Sequence, residues 1–472
     1  MKKKVVGTLL CVAMTTTLLA GCGSSSDDSS TEETEEAAEE ETEETAEEET
    51  EEAAEEETTE EASSDEQITL RVAWWGSQDR HDRTIEAIEL YESLNPNVTI
   101  EYEYYSYDDY YTKLKTLVAS DEVWDVFQLT DNYPAYMDKI YPLDEFIESG
   151  VVDTSDIDDA YLYSTQAYDG SIAGLALGVN TYALMYDPDM FEEAGVEIPD
   201  ENWTWDDYQA AADAITDALG IYGSSYFSSD GEWIYGCELY IPLQGDEEGQ
   251  YNFYNKELTG MGFDDPQMLT GYIQMRADMM NNGSYPDMGT GNEITGYDND
   301  FFTTGEAAMG QLVLNNYPYI YDLLQEQGRT AAITTVPKYS EDGNSASLVR
   351  SSQMFSVSQD SDYKEEAAAF ISWFVNDMDC NAILEGERGI PINNSVREAL
   401  YEEATEGQQL MYDFMDTIAE SAVAGAVNCT WPDGNDEVED NYKNYIQQVM
   451  NGEITAEEAA EQTYADAAAI FE

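Results

Sequence analysis

The chain of 472 residues carries 101 Asp and Glu against 18 Lys and Arg, a formal net charge of −83 at pH 7. A field of that sign repels nucleic acid, whose binding depends on Lys and Arg contacts to phosphate, and disfavours anionic lipid and anionic ligands. With His81 as its one histidine and no CxxC or Cys/His cluster, the sequence argues against a histidine-rich metal site and against a Ser-His-Asp triad with a histidine to spare.

Lys2, Lys3 and Lys4 precede an apolar run from Val5 to Ala20. This is the layout of an export signal, too short and wrongly flanked for a spanning helix. The run ends in Leu19-Ala20-Gly21-Cys22, which resembles a bacterial lipobox. That resemblance implies removal of residues 1–21, attachment of lipid (palmitate) to the Cys22 sulfur, and a protein held on the extracellular face of the cell membrane of a Gram-positive-type bacterium. Residues 22–66 then form the lipidated cysteine and an acidic tether. No Lys, Arg or aromatic residue occurs between Lys4 and Arg71, and Ser30 to Glu66 is almost entirely Glu, Thr, Ala and Ser. Such a segment cannot bury enough apolar surface to offset its chain entropy and is expected to stay disordered, spanning roughly 35 Å or more.

Residues 67–472 keep 78 of the acids and 15 of the bases, a net charge near −63. Solubility, or adaptation to a salty or acidic habitat, accounts for this acidity. Four hundred residues suit two lobes better than one core. Cys237, Cys380 and Cys429 allow at most one disulfide. Ile68, Leu70, Val72 and Trp74 alternate as a strand; Ile85, Ile88, Tyr91 and Leu94 then recur at helical spacing up to Asn95-Pro96-Asn97. Val98, Ile100, Tyr102 and Tyr104 alternate again, a helix with Leu114, Leu117 and Val118 follows, and Val126, Phe127 and Leu129 form a short strand. This β-α-β-α-β order predicts a parallel sheet covered by helices, with ligands outside the carboxyl ends of the strands. Those ends are Trp75-Gly76-Ser77, Tyr105-Ser106-Tyr107 and Thr130-Asp131-Asn132-Tyr133. His81, among Asp79, Arg80, Asp82 and Arg83, is read as a surface residue at a helix start. Farther on, Thr204 with Asp207 and Thr455 with Glu458 mark helix starts. Asp158-Asp159 and Asp298-Asn299-Asp300 lack the Gly and terminal Glu of a calcium loop and are read as turns or caps.

Several segments together resemble the sugar-binding, maltose-binding-like group of extracellular solute-binding proteins of ABC importers. They are Thr69 to Gly76, Tyr91 to Val98, Trp124-Asp125-Val126, Leu184 to Val196, Trp203 to Asp207 and Phe302-Thr303-Thr304-Gly305-Glu306-Ala307-Ala308-Met309. The resemblance spans about Ile68 to Phe471. It implies an α/β fold of two lobes, each a doubly wound sheet, with the ligand in the cleft between them. Lobe one is expected at about 67–178 and 309–355, lobe two at about 179–308 and 356–472. It further implies a monomeric, non-enzymatic receptor without cofactor or metal, which captures a sugar or oligosaccharide and delivers it to permease subunits.

A saccharide site needs rings for its apolar faces and planar polar groups for its hydroxyls. By position in the family's motifs, the candidate ligand contacts are Trp75, Ser77, Asp79, Asp131, Tyr133, Asn180, Trp233, Asn315, Arg350, Arg388, Trp431 and Asp433, with Tyr235 near Trp233. Asn315 stands where the family often carries a stacking Trp. Two rival readings remain open at this point: the same fold binding a cationic or peptide ligand, and an exported glycoside hydrolase whose carboxylate pair lies among the many acids.

Overall fold

The computed structural model describes residues 67–130, 132–200, 202–225, 234–244, 252–255, 257–291, 293–343, 345–420, 431–432 and 434–471. Strand β1 (Ile68–Trp75) leads into helix α1 (Gln78–Leu94), strand β2 (Val98–Tyr105), helix α2 (Tyr107–Val118) and strand β3 (Val126–Leu129). β1 pairs in parallel with β2 on one side and β3 on the other. The alternation in β1 sends Leu70, Val72 and Trp74 to a core shared with Ile88 and Tyr91 of α1. Ala73 and Trp75 face the opposite layer, with Tyr110 and Leu114 of α2. Ser77 starts α1 by accepting from the Arg80 amide at 3.3 Å, and Asn95 ends it, its amide N–H and side chain both donating to the Tyr91 carbonyl at 2.9 Å. The parallel unit read from the sequence is therefore present, and Ser77 and Ser106 cap the starts of its two helices.

This sheet has six strands. Its order is β2-β1-β3-β9-β4, and β5 also pairs with β9. Here β4 is Ile140–Tyr141, β5 Leu175–Asn180 and β9 Arg350–Ser358, and β9 runs antiparallel to β3, β4 and β5. The second sheet, β7-β6-β8, is formed by β6 (Tyr182–Tyr186), β7 (Met309–Val313) and β8 (Ala332–Thr334), antiparallel throughout. Bridges Tyr222↔Ala307 and Ser225↔Gly310 add a parallel segment to it. Around it pack helix Trp205–Leu219, opened by a Thr204/Asp207 capping box, and helices Thr270–Asn282, Asn435–Met450 and Ala456–Ile470, the last opened by the Thr455/Glu458 box. The chain passes from the first sheet to the second at Thr181, between β5 and β6, and leaves it at Leu314 after β7 for helix Tyr317–Glu326, whose Tyr317, Ile320 and Leu324 join the first core. It re-enters the second sheet with β8 and returns to the first with β9.

Two exchange points differ from the expected lobe boundaries. β7 and β8 fall within 309–355, expected in lobe one, yet both pair with β6. Helix Lys364–Asn376, expected in lobe two, packs Phe370 and Phe374 on Phe355 of β9, and residues of helix Glu406–Glu420 join the same core. Short connections explain the second difference: a helix that follows β9 by a few residues covers the sheet the chain has just left. Asp300 acts as the expected cap, accepting from the Phe302 amide at 2.6 Å, whereas Asp158, at the N-cap position of helix Asp159–Tyr163, makes no capping bond and accepts from Asn394 Nδ2 at 3.1 Å.

Candidate functional site

Trp75 ends β1, and tyrosines from the segment after β2 enclose it. Its ring lies 5.5 Å, edge-on, from Tyr107, 5.0 Å from Tyr110 and 5.4 Å from Tyr111. Trp75 is 6% exposed and Tyr107 is 51% exposed, so the ring offered to solvent at these strand ends is Tyr107, with Trp75 as its backing. Tyr110 is locked in turn. Its hydroxyl donates to the Gln128 carbonyl at 2.8 Å and accepts from the Gln128 amide at 2.9 Å, and its ring stacks on Trp124 at 5.4 Å. Burial pushes the Tyr110 and Tyr111 hydroxyls well up, so both are neutral donors; Tyr111 donates to Asn132 Oδ1 at 3.1 Å. Tyr133 is buried, donating to the Gln166 carbonyl at 2.7 Å.

The carbonyl of Trp75 accepts from Gln128 Nε2 and Arg80 Nη1, each at 3.3 Å. The single Arg80 Nε–H is shared between the two Glu387 carboxylate oxygens at 2.7 and 2.8 Å. Arg388 is buried, donating from Nη2 to Thr84 Oγ1 at 2.7 Å and from Nε to Gln128 Oε1 at 3.5 Å. Burial, then the neighbouring Arg80, lowers Arg388 to about 9, so it stays cationic at neutral pH. Ser77 is the α1 cap, and Asp79 holds Arg83 at 2.9 Å on the α1 surface.

His81 is buried, contrary to its expected surface position. The Trp74 indole N–H donates to His81 Nδ1 at 3.1 Å, and Tyr104 stacks on the imidazole at 4.2 Å. Burial first, then Arg80, lowers its pKa, so the ring is a neutral acceptor, with its proton on Nε2.

A second group of candidates meets at the passage between the sheets. Asn180 Oδ1 accepts from the backbone of Thr181 at 2.9 Å and of Asn315 at 3.1 Å. Arg350 pairs in register with Asn180, carries its guanidinium 4.4 Å over the Tyr182 ring and bonds Glu238 at 2.7 Å. Asn315 is exposed beside them. Tyr235 is buried, donating to the Ala183 carbonyl at 2.8 Å, so it supports the second core. Trp431 is 39% exposed. Cys22, Asp131, Trp233, Asp433 and Cys429 lie outside the described residues, while Cys237 and Cys380 are buried. Among the described residues no group of three or more His, Cys, Asp or Glu is placed to hold a metal ion.

Thus the strand ends of the first sheet and the inter-sheet passage gather most of the described candidates, as two polar and aromatic groups. A profile of the bacterial extracellular solute-binding proteins matches residues 86–407. The chain belongs to this family. A putative binding protein of Brucella abortus (strain 2308) is 26% identical to this solute-binding protein over 176 residues, which are 33% of this chain and 39% of that relative. The chain thus spans about two fifths of the length of the curated relatives it matches. Among solved structures, a periplasmic oligogalacturonide binding protein from Yersinia enterocolitica superposes with a TM-score of 0.69 at 20% identity, covering 85% of this chain and 98% of that one. The cyclic alpha-maltosyl-1,6-maltose binding protein from Arthrobacter globiformis gives 0.60 at 20% identity, covering 85% and 98%. The two-lobed fold of periplasmic solute-binding proteins is shared with both.

Tyr107, Gln128, Glu387, Tyr182 and Glu238 complete the two groups of this solute-binding protein without having been singled out as contacts. Tyr107 had a signal, since its segment follows a strand whose carboxyl end faces the ligand side. Glu238 had none, because its partner is 112 residues away.

Proposed function

We propose that this solute-binding protein is the carbohydrate receptor of an ABC importer, held outside the membrane by lipid on Cys22 and acting without bond-breaking chemistry. The observation that carries this reading is the solvent-facing Tyr107 ring backed by Trp75. A rigid ring beside amides and carboxylates meets a sugar's apolar face and its hydroxyls. Two structural relatives are named for oligosaccharides. Ligand taken up by the first lobe, about 67–180 with 314–330 and 350–420, is enclosed as the second, about 182–313 with 332–349 and 434–471, swings on the crossings at Thr181 and Leu314. The closed form, stabilised by ligand, then docks on permease subunits. No helix among the described residues is long and apolar enough to cross a membrane, and the membrane link in this reading is the lipid.

A thermal-shift screen of the purified protein against mono- and oligosaccharides, with polyamines and peptides alongside, tests the ligand class, because a ligand of the native state raises the melting point by mass action. A shift with one sugar class and no product on prolonged incubation supports the proposal. Shifts with cations or peptides alone keep the fold and replace the ligand, and released sugar products replace the receptor with a hydrolase.

A further inference from the structure

Three arginines stand where the candidate contacts converge, and each is met by a carboxylate of the protein. Glu387 accepts from the Arg80 Nε–H with both its oxygens and lies 3.6 Å from Arg388. Both of those pairs belong to the first lobe. The third pair joins different parts of the molecule. Arg350 opens β9 in the first sheet, while Glu238 sits among residues of the second core, and they meet at 2.7 Å with side chains only 12% and 4% exposed. The Arg350 guanidinium also covers the Tyr182 ring, at the first residue of β6.

A planar guanidinium held over an aromatic ring, beside the passage between two lobes, is suited to a carboxylate because its paired N–H groups match the two oxygens. A uronate sugar carries that group; a neutral glucan does not. In this chain Glu238 already meets the guanidinium. A second carboxylate brought to the same place would stand against Glu238 in a partly desolvated setting, where like charges repel more strongly than in water. An uncharged saccharide meets no such repulsion.

We propose that Glu238 determines specificity: by neutralising Arg350 at the lobe junction it reserves the site for uncharged saccharides and rejects uronates. This rests on the carbohydrate-receptor reading above. It separates local rejection by one residue from the general repulsion of an acidic surface, which salt weakens.

The test is calorimetric titration of the wild-type protein and of Glu238→Gln with a panel of uncharged gluco-oligosaccharides and with digalacturonate, at low salt and in 0.5 M NaCl. The wild type is expected to bind an uncharged oligosaccharide and to give no binding with digalacturonate at either salt concentration. Glu238→Gln is expected to gain at least tenfold in digalacturonate affinity. Digalacturonate binding by the wild type, at low salt or appearing only when salt is raised, overturns the proposal and leaves the receptor reading intact; this arm holds even if the variant does not fold. A folded Glu238→Gln without the gain overturns it too. Absence of binding by every saccharide removes the receptor reading itself, and the role of Glu238 with it.

Discussion

Trp75 and Tyr107 stand one behind the other, so substitutions at the two should separate stability from binding. Trp75→Ala empties a site enclosed by Tyr107, Tyr110 and Tyr111 and is expected to lower unfolding free energy by about 3–5 kcal/mol, measured by denaturant titration. Tyr107→Ala should leave the melting point nearly unchanged and weaken saccharide binding about tenfold, roughly 1.4 kcal/mol; unchanged affinity would remove Tyr107 from the site. Asp300 gives a pH prediction. Burial raises its pKa from 3.8 to about 7, so the fold holds its proton more tightly than the unfolded chain does. The resulting stability is complete below about 3.8 and is lost as pH rises through about 7. Asparagine keeps the cap on Phe302 without the charge. Asp300→Asn should therefore be more stable than wild type at pH 8, by about 1–3 kcal/mol, and nearly level with it at pH 4, as denaturant titration at the two pH values would show. These side chains also mark how far a sequence can be read by eye. Trp75 and Tyr107 were both visible at strand ends, but which ring lies outermost depends on how α2 lands. His81 was misjudged because its partners, the Trp74 indole and the Tyr104 ring, come from strands that run beside each other only after folding.

At the scale of elements, the loop 386–390 is pressed against β5. Val179 and Ile390 exchange backbone bonds of 2.8 and 3.1 Å. Gly389 sits at φ +120°, where an added Cβ would lie 2.7 Å from Ser352 Oγ and 2.9 Å from the Val179 carbonyl, and a Cβ on Gly178 would lie 2.6 Å from the Arg388 carbonyl. Side chains are excluded from this seam on both sides. Gly389→Ala should lower the melting point by several degrees and, through displacement of Glu387 and Arg388, loosen the end of β1; an unchanged melting point would show that the loop moves freely. The parallel β1–α1–β2–α2–β3 unit was legible because its strand alternation, caps and Pro96 stop are all local signals. The membership of β7 and β8 was not. Both are short apolar runs, and their pairing with β6 is decided more than a hundred residues away in sequence, where nothing local records it.

For the whole molecule, a net charge near −63 over residues 67–472 makes the folded body repel itself, and screening should relieve this. The melting point is expected to rise by about 2–5 °C between low salt and 0.5 M NaCl; a flat response would mean that ion pairs and spacing already balance the field. If Cys22 carries the lipid, Cys22→Ala should release the protein into the medium, seen by fractionation. The charge has one more consequence, for the company the protein keeps. Among the described residues β2 has a partner on one side only, β1, and its open edge displays Tyr102 and Tyr104, 40% and 41% exposed, alternating with Glu101 and Glu103. A bare edge with aromatic side chains is a template on which neighbouring copies can stack into aggregates. Glutamates at every second position set like charges against each other in any such pairing, so copies of the chain brought close together would stay dispersed.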